Sequence, residues 1–103
     1  MSNSISLTDK KTKNLNFLPS EPGIYKFLDS ENEVIYIGKA KNLRKRVKSY
    51  ISSSKNQSRK LKRLTSESIF LEITVTNSEL EALLLEQHLI KEIKPKYNVQ
   101  FKD

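Results

Sequence analysis

With 103 residues, 36% of them hydrophobic and 30% charged, and a formal net charge of +7, the chain has room for one small domain with a lean core and a cationic surface. It has no cysteine, which excludes disulfide frames and thiolate metal sites. No apolar run approaches the roughly 20 residues of a membrane span or resembles a signal segment, so the protein is expected in the cytoplasm, bound to an anionic partner.

Residues 1–14 are polar and rich in Ser, Asn and Lys, and read as a flexible N-terminal arm before a domain over 15–103. Leu15 to Leu18 suit a short turn ahead of Pro19, and Pro22-Gly23 is loop punctuation. Gly23 to Leu28 and Val34 to Gly38 are β-branched and aromatic, with turn chemistry at Asp29 to Asn32, so they predict a β-hairpin. If those four residues are the loop, Leu28 faces Glu33, and the same register sets Tyr25 opposite Tyr36 on one face. Asn42 caps a helix to about Ile51, with Leu43, Val47, Tyr50 and Ile51 along one side. Ser52 to Asn56 is a polar break, and Gln57 to Thr65 suits a second, very basic helix. Ile69 to Val75 alternates like a half-buried strand. Asn77 then caps the clearest helix, Ser78 to Ile93, stopped by Pro95. The fold class is α/β (α+β), a small three-stranded antiparallel sheet flanked by helices.

Charge placement is the first functional signal. From Lys39 to Arg63 there are eleven Lys or Arg residues and no acid. Such a surface neutralises phosphates and releases counterions, so Lys41, Arg44, Lys45, Lys48, Arg59, Lys60 and Arg63 are candidate DNA contacts. A solvated helix face is the plainer alternative.

The second signal is Glu86. On a helical wheel Ala82, Leu83, Leu85, Leu89, Ile90 and Ile93 share an arc with Glu86 near its middle, whereas His88 lies on the polar side. An inward carboxylate is costly unless paired, metal-bound or protonated, so it reads either as a buried ion pair with an arginine or as a metal ligand or acid–base group. The third signal is Tyr25 and Tyr36, which are either cross-strand packing or part of a site. Arg46 and Tyr50, four apart on one helix, and Lys39, at the end of the second strand, are placed to converge with them. Among the Ser, His and Asp residues no hydrolytic triad is visible.

Pro22-Gly23-Ile24-Tyr25, Tyr36-Ile37-Gly38-Lys39-Ala40, Leu43 to Arg46, Tyr50, Glu81 to Glu86, Leu89-Ile90-Lys91 and Pro95-Lys96-Tyr97-Asn98 together resemble the GIY-YIG nucleases, on the UvrC side of that family. The resemblance covers about Leu18 to Phe101. It implies a three-stranded antiparallel sheet with helices, one divalent metal (Mg²⁺ or Mn²⁺) on Glu86, and an active site lined by Tyr25, Tyr36, Lys39, Arg46, Tyr50 and Asn98. It also implies phosphodiester hydrolysis in damaged double-stranded DNA, as the 3′ incision of excision repair, with a UvrB-like damage-loading partner and a longer parent chain. A short stand-alone repair nuclease and a non-catalytic nucleic-acid-binding module are the alternatives. A tyrosine general base, with Tyr36 favoured over Tyr25, requires a phenol lowered from its usual value near 10 by Lys39, Arg46 or the metal. Tyr50 is assigned to orient the phosphate, and Asn98 to position the metal-bearing helix or the substrate.

Overall fold

Strands β2 (Gly23–Leu28) and β3 (Val34–Ala40) form the expected hairpin. The computed structural model describes residues 3–7, 15–52 and 58–100. Asp29 organises the turn, its Oδ1 accepting from the backbone N–H groups of Glu31 at 2.9 Å and Glu33 at 3.0 Å, while Asn32 takes a left-handed φ of 63°. A bulge between Phe27 and Leu28 then shifts the pairing, so that Tyr25 lies opposite Gly38 and Phe27 opposite Tyr36. The expected Tyr25–Tyr36 register is therefore corrected by two residues: Leu28 pairs with Val34 and not Glu33, which shifts the ladder by one, and the bulge, which leaves Ile35 unpaired, shifts it by one more. Two residues is one full side-chain period, so the two tyrosines still share a face, with ring centroids 6.4 Å apart.

Strand β4 (Phe70–Val75) pairs antiparallel with the other edge of β2. A further strand, β1 (Asn3–Ser6), pairs antiparallel with β4, giving the order β1-β4-β2-β3. The sheet thus has four strands where the sequence predicts three, and part of the segment read as a loose arm is a strand. The outer edge of β4 would otherwise present unpaired backbone groups, and even a short polar segment can satisfy them. The rest of that arm, 1–2 and 8–14, lies outside the described residues.

Helix α1 (Leu43–Ser52) starts where Asn42 Oδ1 accepts from Lys45 N at 3.1 Å, as expected. Helix α2 (Arg59–Glu67) is capped by Ser58 and so begins two residues later than the sequence suggests; 53–57 lie outside the described residues. Helix α3 (Glu79–Ile93) is capped by Ser78, whose Oγ accepts from Glu81 N at 3.1 Å, and not by Asn77. It closes at Lys94, which adopts a left-handed conformation directly before Pro95. A short helix α4 (Lys96–Gln100) follows, which the sequence pattern does not predict. None of the described helices is long and apolar enough to cross a membrane.

On one face of the sheet, Tyr25 and Phe27 are buried with Leu43, Val47 and Tyr50 of α1, Leu64 of α2 and Leu71 of β4. Ile24 and Ile37 alternate to the opposite face and are also fully buried. Helix α3, packed on β2 and β3 through the buried Ala82, is the element left to cover them.

Gly38 fixes how closely this hairpin closes. A methyl group there would collide with the Cζ and hydroxyl oxygen of Tyr25. Gly38→Ala is accordingly expected to lower the unfolding free energy by about 1–3 kcal/mol through overpacking, although alanine usually improves on glycine in a strand. Urea denaturation measures it, and an unchanged midpoint would mean that the Tyr25 ring does not lie across β3.

Candidate active site

The site is built on Tyr25. Its side chain is only 1% exposed, so its hydroxyl needs internal partners, and it has two. It donates to the Tyr50 hydroxyl at 3.2 Å and accepts from Arg46 Nε at 3.3 Å. Arg46 also lies over the Tyr50 ring, 5.2 Å from the centroid. Tyr36 completes the cluster from β3, hydrogen-bonded to Tyr50 and with their centroids 6.4 Å apart. Phe27 fills the space between, 5.5 Å from Tyr50 and stacked on Tyr36 at 6.4 Å. Strand alternation and the four-residue spacing on α1 thus bring Tyr25, Tyr36, Arg46 and Tyr50 together as the sequence predicts.

The electrostatic balance differs from the expectation. Burial raises the Tyr25 hydroxyl far above its ordinary pKa, and the neighbouring Tyr50 adds to the rise; the Arg46 hydrogen bond pulls it down without prevailing. Tyr36 is likewise pushed well up, first by burial and then by Tyr50, against a lowering by Arg46 and with a further rise from the Glu86 carboxylate. Arg46 alone therefore does not supply the lowering that a base role requires: removing a phenolate from water outweighs one guanidinium. Arg46 is raised by its hydrogen bond to Tyr25, which reinforces its positive charge.

Asn98, on α4, makes two bonds to one residue of β3. Its Oδ1 accepts from Ile37 N at 2.8 Å and its Nδ2 donates to Ile37 O at 2.9 Å. The amide side chain therefore takes the place of a neighbouring strand on the open edge of β3, one residue from Tyr36. Both polar ends of the Asn98 amide are thus bonded to the backbone of β3.

Lys39 and Arg46 line one open groove of ≈ 660 Å³ with Lys41, Lys45 and the groove's one acid, Glu79. The remaining candidate DNA contacts divide into two groups. Arg44 Nε donates to the Leu18 carbonyl at 2.7 Å, and Lys48 Nζ to Asn16 Oδ1 at 2.9 Å, so both fasten the 15–18 turn onto α1. Arg59, Lys60 and Arg63 stand exposed on α2.

Glu86 is half-buried on α3 and, among the described residues, forms no ion pair; its Oε1 accepts from Gln87 Nε2 at 3.1 Å. The buried Arg–Glu pair considered from the wheel is therefore absent among those residues. The apolar arc is also shallower than the wheel implies, since Leu83 is 36% exposed and Ile93 41%. The carboxylate is near enough to Tyr36 to act on it electrostatically. No cluster of three or more His, Cys, Asp or Glu side chains is found among the described residues. A lone, water-accessible carboxylate fits Mg²⁺, which keeps several waters and uses one or two carboxylates, and does not fit a metal needing a full protein cage. His88 is exposed, as expected.

Sequence reasoning missed Lys96, Tyr97 and Glu67. Tyr97 donates to Glu67 Oε1 at 2.6 Å, and Lys96 Nζ lies 2.7 Å from Glu67 Oε2. Lys96 and Tyr97 sit beside Asn98 in one motif, the only sequence hint of their part.

The arrangement coincides with known proteins. Residues 21–99 match the family model for the UvrC-like GIY-YIG domain. UvrABC system protein C of Salinibacter ruber is 46% identical over 89 residues, covering 86% of this chain and 14% of that protein. The protein of the same name from Legionella pneumophila (strain Lens) is 52% identical over 101 residues, 98% of this chain and 16% of the relative. The chain thus spans about one-sixth or less of the length of these relatives. Among solved structures, the GIY-YIG N-terminal endonuclease domain of UvrC from Thermotoga maritima, bound to its catalytic magnesium, superposes with a TM-score of 0.75 at 41% identity, over 86% of this chain and 97% of that one.

Phenols raised by burial make alkaline pH destabilising. The unfolded chain releases phenolic protons near pH 10, whereas the folded chain retains them on Tyr25 and Tyr36. Their contribution is complete below about pH 10 and is lost as pH rises above it. Phenolate absorbance should show these tyrosines still protonated past about pH 10 until the protein unfolds, with thermal stability falling over the same range. Normal ionisation of all four tyrosines in the folded protein would contradict the hydrogen-bonded cluster.

Proposed function

The chain belongs to the UvrC-like GIY-YIG domain family, and from that premise we propose that it is a divalent-cation-dependent DNA endonuclease domain, making the 3′ incision beside a lesion in nucleotide excision repair. The observation that carries the reading is the convergence of Tyr25, Tyr50 and Arg46 with a Tyr36 that lies within electrostatic reach of the Glu86 carboxylate. A pure DNA-binding module needs a basic surface and has no use for a half-buried carboxylate within electrostatic reach of a tyrosine cluster. The substrate is damaged double-stranded DNA in the bacterial cytoplasm, delivered by a UvrB-like loading partner.

Phosphodiester hydrolysis needs a placed water, compensation of charge at phosphorus and a stabilised leaving oxygen. A single Mg²⁺ or Mn²⁺ on Glu86, otherwise coordinated by water, would supply Lewis-acid polarisation of the phosphate and lower the pKa of nearby water and phenol groups. Arg46 is fixed by Tyr25 at its Nε, which leaves the Nη end to meet a phosphate oxygen. Lys39, on the rim of the same groove, adds positive charge where the transition state gains negative charge. Tyr50 orients Arg46 and Tyr36 through its ring and hydroxyl. Tyr36 is the more accessible phenol of the β2–β3 pair. Held protonated at neutral pH, it is assigned to orient the attacking water and the phosphate by hydrogen bonding, with a base role only after its phenol has been lowered.

Glu86→Ala should abolish cleavage, by on the order of a thousand-fold, while leaving DNA affinity close to that of the wild type. Its unfolding free energy should change by less than about 0.5 kcal/mol, because a half-exposed carboxylate without an ion pair carries little of the fold. The decisive assay follows incision of a lesion-bearing duplex by the full-length parent chain with loading partners and Mg²⁺. Loss of the 3′ cut alone supports the assignment; equal cutting by both proteins removes it.

The basic residues should separate in two further measurements. Replacing Arg59, Lys60 or Arg63 by alanine should lower the slope of log affinity against log salt by about one for each phosphate left without its cation. Arg44→Ala should instead cost about 1 kcal/mol of stability, because the Leu18 carbonyl loses its donor. A salt slope unchanged by all three α2 substitutions would place the DNA elsewhere.

A further inference from the structure

Glu67 lies at the last turn of α2 and takes part in none of the chemistry assigned above, yet it is held from two sides. Its Oε1 accepts from the Tyr97 hydroxyl at 2.6 Å and its Oε2 lies 2.7 Å from Lys96 Nζ. Tyr97 is 1% exposed, so this phenol has lost its water and depends on internal partners. Both partners of Glu67 belong to α4, and the next residue along α4 is Asn98, whose side chain bonds both backbone groups of Ile37. Ile37 stands between Tyr36 and Gly38 on the open edge of β3.

A helix of five residues does not hold itself in place in water, so α4 needs external anchors; the short Tyr97–Glu67 bond from a buried ring is the stronger of the two, and the Lys96–Glu67 pair, 51% and 37% exposed, adds to it. We infer that Glu67 is a positioning residue for the cleavage reaction: by fixing Lys96 and Tyr97 it holds Asn98 against Ile37, and so sets the height of Tyr36 in the site. The inference rests on Tyr36 meeting substrate, as proposed above. Glu67 also joins the helix that carries Arg59, Lys60 and Arg63 to the strand that carries Tyr36. Phosphate contacts on α2 are thereby tied mechanically to the catalytic strand.

The Ile37 amide reports on this link directly, because its proton goes to Asn98 and not into the sheet ladder. In native-state hydrogen exchange, Glu67→Ala is expected to speed exchange at Ile37 by at least about ten-fold while ladder amides such as that of Ile73 stay within about two-fold. Turnover on cleavable DNA should fall roughly ten-fold, with KM within about two-fold, as befits a misplaced group that does not bind substrate. Glu67→Gln keeps an acceptor for Tyr97 and should recover most of both readouts. Unchanged protection at Ile37 in Glu67→Ala, or uniform acceleration across all core amides, would overturn the inference. Failure of the underlying functional reading looks different: Tyr36→Phe would then cleave normally while the Ile37 amide still responded to Glu67.

Discussion

The Tyr25 ring crosses the backbone of β3 because its cross-strand partner, Gly38, has no side chain to stop it. Much else depends on this close approach. It places the Tyr25 hydroxyl under α1, where Tyr50 and the Arg46 guanidinium are its partners. Gly23 performs the matching task at the start of β2, where a Cβ would collide with the Thr74 carbonyl oxygen and lie 2.8 Å from Leu43 Cδ1. The chain has only two glycines, and each sits where a helix, a ring or a neighbouring backbone must come closer than a side chain permits.

Close packing of this kind has an electrostatic consequence. A protein with a net charge of +7 would ordinarily favour phenolates near its basic face, but the phenols here are buried among themselves and among aromatic rings. Desolvation then outweighs the field of Arg46, and the hydroxyls remain neutral dipoles that orient one another. The lasting charge of the cluster is on Arg46, at its outer end. On the proposed function, a phosphate approaching from the groove would meet a cation whose direction has been fixed in advance by neutral groups, the kind of preorganisation that lowers the cost of stabilising a transition state.

Much of this was legible in the sequence because side-chain periods survive errors of register. The hairpin, α1, β4 and α3 follow from apolar spacing, and the grouping of Tyr25 with Tyr36 held despite the bulge after Phe27, since a two-residue shift preserves the face. The bulge itself depends on packing across the sheet and has no local signature. Strand β1 is polar and gains its partner only when β4 presents an open edge. Helix α4 is too short to show a period, and its anchor, Glu67, lies thirty residues away from Tyr97 in the chain. The run of eleven basic residues was visible as charge, but not its division: Arg44 and Lys48 hold a turn, while Arg59, Lys60 and Arg63 face solvent.

The surroundings of Glu86 differ from those its place in the sequence implies. The wheel placed it within an apolar arc, where an ionised carboxylate in a dry core would demand a partner. The arc is shallow, however, and Glu86 lies at its seam, half in solvent and within electrostatic reach of Tyr36. The apolar flank still lowers the local dielectric, which strengthens its attraction for a cation. A fully buried glutamate would exclude the water shell that Mg²⁺ retains, and a fully exposed one would bind it too weakly to orient anything. Partial burial would meet both demands of the proposed metal site, and in a sequence it appears as one acid among leucines.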